Sequence, residues 1–223
     1  MRELFNVTED SLERFLTRWY GPADREAFEA VPCSGPRPLV RWFSTVPRWS
    51  AFHPTQNHVQ AKPGTDRGKL LVWVENQHVW LWAVDPDEDD PPVYDRLDDP
   101  FTEWRPTGVR LSVFLLHVAV FETITDFHHG ACAFDVTKNQ LDLVLAPLRP
   151  LPMADWHWPT EGHRLYAGDD VLAFAGPNDG EFWEVWVAAT GPEPLAYLAD
   201  VGGVEWDVKR PWGTPGDERE KLT

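Results

Sequence analysis

The chain has 223 residues, 43% of them hydrophobic, and carries 36 acidic against 20 basic side chains for a formal charge of −16, with an isoelectric point near 4.8. That length and apolar content suffice for one large domain or two small lobes around a packed core, and they exclude disorder except at the ends. The acidic balance excludes a binder of phosphate backbones, which needs clustered Lys and Arg, so nucleic acid is not expected as a direct partner.

In chain order, Thr8 is placed to cap a helix whose first turn carries Glu9 and Asp10 against the N-terminal dipole, with Leu12, Phe15, Leu16 and Trp19 as its apolar stripe. Gly21-Pro22 stops it. A weaker amphipathic piece follows around Arg25 to Ala30, and Pro32 to Pro38 reads as an irregular linker. Pro38 to Trp49 predicts a short helix ended near Pro47, with Leu39, Trp42, Phe43 and Val46 inward. Phe52 to Gly68 is an approach to the first strand. His53 and His58 within it lack a nearby cysteine or a third ligand, so no metal site is expected there.

From Lys69 to Val84 the pattern is that of a hairpin. Leu70, Val72 and Val74 alternate with Leu71, Trp73 and Glu75; after the turn Asn76-Gln77-His78, Trp80, Trp82 and Val84 alternate with Val79, Leu81 and Ala83. Both faces are apolar, so one lies on the core and the other under a helix or loop. Asp85-Pro86 ends the second strand because proline cannot donate to the ladder.

Asp85 to Glu103 then holds nine carboxylates (Asp85, Asp87, Glu88, Asp89, Asp90, Asp95, Asp98, Asp99, Glu103) against the single cation Arg96. The plain reading is a solvated loop that keeps an acidic protein soluble. The sharper one is a docking surface for a basic partner, with Tyr94, Phe101 and Trp104 as its exposed aromatic anchors. Neutralising Asp87, Glu88, Asp89 and Asp90 should then slow association while leaving the fold nearly unchanged. A calcium loop fails on spacing: counted from Asp85, the sixth position is Asp90 instead of a glycine and the twelfth is Arg96 instead of a glutamate.

Leu111 to Ile124 is apolar on almost every side and predicts a central helix covered all round. His117 inside it reads as a satisfied core histidine, neutral because burial disfavours its charged form. His128-His129-Gly130 reads as a turn or helix end, and Asp135 to Leu148 as a helix with Thr137 as its cap. Extended structure returns over His163 to Tyr166 and Val171 to Ala175, followed by a turn at Gly176 to Gly180 and a strand from Phe182 to Ala189. A short helix over Leu195 to Val201, a closing strand over Val204 to Val208 and a polar tail beyond Pro211 complete the chain.

Cys33 and Cys132 stand far apart with no CxxC pair, so both read as buried thiols outside any zinc site or disulfide. The N-terminus lacks an apolar signal core and the longest greasy stretch, Val113 to Phe121, is too short to span a bilayer; a soluble cytoplasmic protein with no membrane partner is expected.

The strand pair KLLVWVENQHVWLWAVDPD, the PPVY segment, Trp104 and the TG-x-x-LSVFLL helix together resemble the SUKH superfamily, over about Pro38 to Ile124. Its members include a yeast regulator of cell-wall synthesis and many bacterial immunity proteins that neutralise polymorphic toxins. The resemblance implies an α+β fold, a curved and mostly antiparallel sheet backed by helices, with a binding role and no catalysis. Glu75, Asn76, Trp80, Trp82, Pro91 and Pro92 would be structural signature positions. Residues 1–210 would form one SUKH-like domain, and the strand-rich block over 127–210 either extends the same sheet or makes a second lobe.

No GxSxG, HExxH, P-loop or GxGxxG motif is present, so no enzyme and no cofactor are expected. Two binding functions remain open: an immunity protein that neutralises a basic toxin domain, a nuclease among the candidates, and an intracellular regulatory scaffold of the same superfamily. A carbohydrate-binding module would instead lay its tryptophans flat in a neutral groove.

Overall fold

The computed structural model describes residues 1–26, 35–54, 57–126, 129–152 and 156–209. The predicted segments at Arg25 to Ala30 and Pro32 to Pro38, as well as Cys33, His128 and the tail, fall wholly or partly outside them.

After the short helix α1 (Arg2–Phe5), helix α2 (Ser11–Tyr20) buries Phe15, Leu16 and Trp19 on the predicted face. It starts later than predicted: the Thr8 amide donates to Ser11 Oγ at 2.8 Å, and Glu9 and Asp10 precede the helix. Helix α3 (Arg37–Thr45) buries Leu39 and Trp42 and runs into a 3-10 turn over Val46–Arg48, where Pro47 ends it.

The first sheet is antiparallel and six-stranded. Strands β1 (Asn57–Val59), β2 (Thr65–Asp66), β3 (Lys69–Glu75), β4 (Trp80–Val84), β5 (Pro92–Leu97) and β6 (Arg105–Arg110) lie in the order β1-β3-β4-β5-β6, with β2 paired to β3. The β3–β4 hairpin matches the sequence pattern and sets Trp73 opposite Trp82. Its turn is closed by buried Glu75, whose Oε2 accepts the Gln77 and Val79 amides at 2.9 and 3.2 Å while His78 takes φ +60. Glu75 is thereby a turn cap, satisfying donors that the tight turn leaves without a ladder partner.

The expected continuous acidic loop is not what forms. Pro92–Leu97 is an interior strand, and Asp95 and Arg96, which lower its strand signature, are both buried and partnered there, Asp95 by His157 and Arg105 and Arg96 by Asp66. Helix α4 (Leu111–Asp126) follows β6, and thirteen of its 16 residues are buried. It is covered on all sides, as its sequence demands.

Strand β7 (His129–Val136) replaces the predicted turn and helix start. Its Gly130-Ala131-Cys132-Ala133 run carries no β-branched or aromatic signal, yet its backbone pairs with a neighbouring strand on each side. Helix α5 (Lys138–Leu145) is shorter than predicted but has the expected cap, Thr137, in a capping box with Gln140. Strands β8 (Arg149–Pro150), β9 (Arg164–Ala167), β10 (Val171–Pro177) and β11 (Trp183–Ala189), a 3-10 helix over Glu193–Asp200 and β12 (Asp207–Lys209) complete the chain.

The C-terminal block forms a separate antiparallel sheet, β12-β7-β11-β10-β9-β8, and does not prolong the first one. The chain is therefore α+β with two sheets, and α4 packs against both. One aromatic core joins them: Trp73 and Trp82 from the first sheet, Phe114 and Phe121 from α4, Trp156, and Phe174 from the second sheet. The Phe121 ring lies 5.5 Å from Trp156 and 5.1 Å from Phe174, edge and tilted geometries that favour aromatic pairs beyond their buried area. A smaller core, including Val144, Val185, Val187 and Leu198, lies under α5 and the 3-10 helix on the far face of the second sheet.

Candidate functional site

The acidic run is divided by β5, whose six residues span roughly 20 Å. Asp85 to Asp90 therefore come before one end of β5, while Asp98, Asp99, Phe101, Glu103 and Trp104 follow its other end, and the β2–β3 turn touches both groups, Lys69 through Asp85 and Arg67 through the carbonyls of Pro100 and Thr102.

At the first end most of the charge is answered locally. The Lys69 ammonium is 2.7 Å from Asp85, the Arg37 guanidinium 3.2 Å from Asp89, and that of Arg110 3.7 Å from Glu88. Asp90 is structural: its carboxylate accepts the Ser112 amide at 2.9 Å and the Ser112 hydroxyl at 2.7 Å, at the start of α4. A carboxylate there satisfies an otherwise orphaned helix donor and meets the positive end of the helix dipole. Asp87 is exposed. Tyr94, expected to be exposed, is half-buried under the Lys69 ammonium, 3.5 Å from its ring centre.

At the second end Asp99 shapes the turn. Its Oδ1 accepts the Phe101 and Thr102 amides at 2.7 and 2.9 Å and its Oδ2 the Thr102 hydroxyl, which holds this carboxyl below the ordinary range, the hydroxyl contributing most. Arg67 donates to the carbonyls of Pro100 and Thr102 at 2.7 and 2.8 Å. Phe101 stands on this braced turn with 90% of its surface exposed. Leu97 and Val79 are also exposed, and the Asp98 amide donates to the Val79 carbonyl, which joins the two turns. Around this apolar group Asp66, Asp98, Asp99 and Glu103 outnumber Arg67 and Arg96, the nearest cations. Trp104 is half-buried beneath the Arg96 guanidinium, 4.9 Å from its ring, and is not a free anchor.

Asp95 is not a surface residue. It is 2% exposed, and both its oxygens face His157 Nδ1, at 2.9 and 3.0 Å, with Arg105 Nε at 3.8 Å and Arg105 bound in turn to Glu161 at 2.8 Å. Burial raises its pKa; His157 and Arg105 oppose that rise. This cluster ties the 156–163 segment to the first sheet. A second histidine, His163, ties the same segment to the second: it is fully buried, with Nε2 2.6 Å from Glu184 and Nδ1 2.9 Å from the Thr160 carbonyl. Sequence reading missed both clusters because their members lie up to 62 residues apart.

Among the described residues no tryptophan is exposed, which leaves no flat indole platform of the kind a carbohydrate-binding module presents. No described helix is long and apolar enough to cross a membrane. No protein-family model, no curated protein and no solved structure matches the chain.

Proposed function

We propose that the protein is a non-catalytic binding module that neutralises a basic toxin domain, as immunity members of the SUKH superfamily do, and that it grips this partner at the Asp98–Glu103 turn. The observation that carries the reading is Phe101, 90% exposed on a turn whose backbone is held by Asp99 and Arg67. An exposed aromatic ring on rigid backbone is an anchor whose ordering cost is met before binding. The surrounding excess of carboxylates, in a chain of charge −16, suits a basic partner and speeds its approach.

The test is a pull-down from lysate of the source cells, with Phe101→Ala and the Asp98→Asn, Glu103→Gln double variant beside the wild type, and bound proteins identified by mass. A basic toxin domain held by the wild type is expected, with Phe101→Ala weakening it by about 2 kcal/mol or more, roughly thirtyfold. The double variant should slow association chiefly at low salt. Equal retention by all three proteins would remove the turn from the interface, and a stoichiometric partner that is neither basic nor a toxin would favour the regulatory scaffold instead.

A further inference from the structure

We propose a second, independent site: the cleft between α1 and the β8–β9 edge of the second sheet binds a small phosphate-bearing anion. The cleft encloses about 440 Å³ and is lined by Arg2 and Phe5 of α1, Pro147, Arg149 of β8, and Gly168 and Asp169 of the turn after β9.

The argument rests on where unanswered positive charge is found. Acids exceed bases by sixteen in this chain, and most of its described arginines sit against carboxylates: Arg14 on Asp10, Arg18 on Asp170, Arg48 on Glu13, Arg67 on Glu103, Arg96 on Asp66 and Arg110 on Glu88. Arg2 and Arg149 have no carboxylate at ion-pair distance among the described residues, although Asp169 lines the same cleft. Arg25 and Lys62, which also have no ion pair among the described residues, line neither of the two clefts described here. Two arginines without an ion pair among the described residues thus line one cleft of an acidic protein.

Arg149 is also pre-positioned. Its guanidinium stacks 4.2 Å from the Phe5 ring centre, a contact that holds a planar fork in place without using its donors. Two such forks match the tetrahedral oxygens of a phosphate, and the pairing is charge-assisted. The other cleft, about 350 Å³ between α2, α3 and the start of α4, makes the contrast: its Arg37 and Arg41 are already bound to Glu9, at 2.9 and 3.3 Å. It offers an anion little free charge.

The experiment is a titration of the ¹⁵N-labelled full chain with inorganic phosphate, with adenosine monophosphate and with acetate, at matched ionic strength, followed through the Gly168 and Asp169 amides and the Arg149 Nε–H. Saturable shifts at these groups are expected with inorganic phosphate and with the monophosphate, and weaker ones with acetate. Arg2→Gln and Arg149→Gln should each weaken binding roughly tenfold. Asp169→Asn, which removes a competing negative charge, should tighten it, an effect that misfolding does not produce. Shifts that never saturate, or that are unchanged in the two arginine variants, would overturn the site. Acetate binding as tightly as either phosphate would overturn the assignment to a phosphate group.

Discussion

His117 offers the sharpest test of how the buried helix is balanced. It is wholly buried in α4, and neither ring nitrogen has a hydrogen-bond partner among the described residues. The core histidine expected from the sequence is thus present but not satisfied. Burial pushes its pKa from 6.5 down to about 3. The folded chain refuses a proton that the unfolded chain accepts below 6.5, so this stability is present above that value and is lost as pH falls toward 3. Between pH 7 and pH 5 the loss is about 2 kcal/mol, at 1.36 kcal/mol per pH unit below 6.5. His117→Leu keeps an apolar body and removes the two orphaned polar atoms, which should stabilise the protein by about 1–3 kcal/mol at pH 7. It should also abolish that part of the pH slope. Urea unfolding followed by tryptophan fluorescence at pH 7 and pH 5 measures both quantities. A variant with the wild-type slope would refute the reasoning about titration, and a destabilised variant would show that the imidazole holds a hydrogen bond.

Asp90→Ala should cost about 1 kcal/mol in a denaturant titration, the usual worth of a helix cap, whereas Asp87→Ala should change stability by less than about 0.5 kcal/mol. Asp95 has the opposite sign from His117: its folded pKa is raised, so the stability of its protonated form is complete below the ordinary value of 3.8 and is lost as pH rises through the folded pKa. Asp95→Asn should remove that acid-side slope, and an unchanged pH profile would contradict the burial argument. Gly176→Ala should destabilise by roughly 1–3 kcal/mol, because a Cβ there would sit 2.3 Å from the His163 ring, which Glu184 and Thr160 hold in place. Wild-type melting behaviour of that variant would show that the ring can move aside.

The elements legible from the chain alone are those whose signal is local. The Lys69–Val84 hairpin follows from period-two alternation around a polar turn, α4 from an apolar run too long for a strand, and the start of α5 from Thr137 and Gln140 three residues apart. Each is decided by side chains within one or two turns of each other. The exposure of Phe101 was legible for the same reason: an aromatic residue among turn formers and carboxylates has little local core to enter.

What only the tertiary structure decided are the features that depend on distant partners. Asp95 and Arg96 look like loop residues until His157 and Arg105 meet the one and Asp66 the other, and then Pro92–Leu97 becomes a strand that divides the acidic run in two. The strand over His129–Val136 has a weak signal of its own, since Gly130 to Ala133 are poor strand formers, and pairing with β11 on one side and β12 on the other decides it. The second sheet stands apart from the first because α4 is apolar on every side, and a helix with no polar face is stable only when both of its sides are covered. The sequence demanded that cover, and the later strands supplied it.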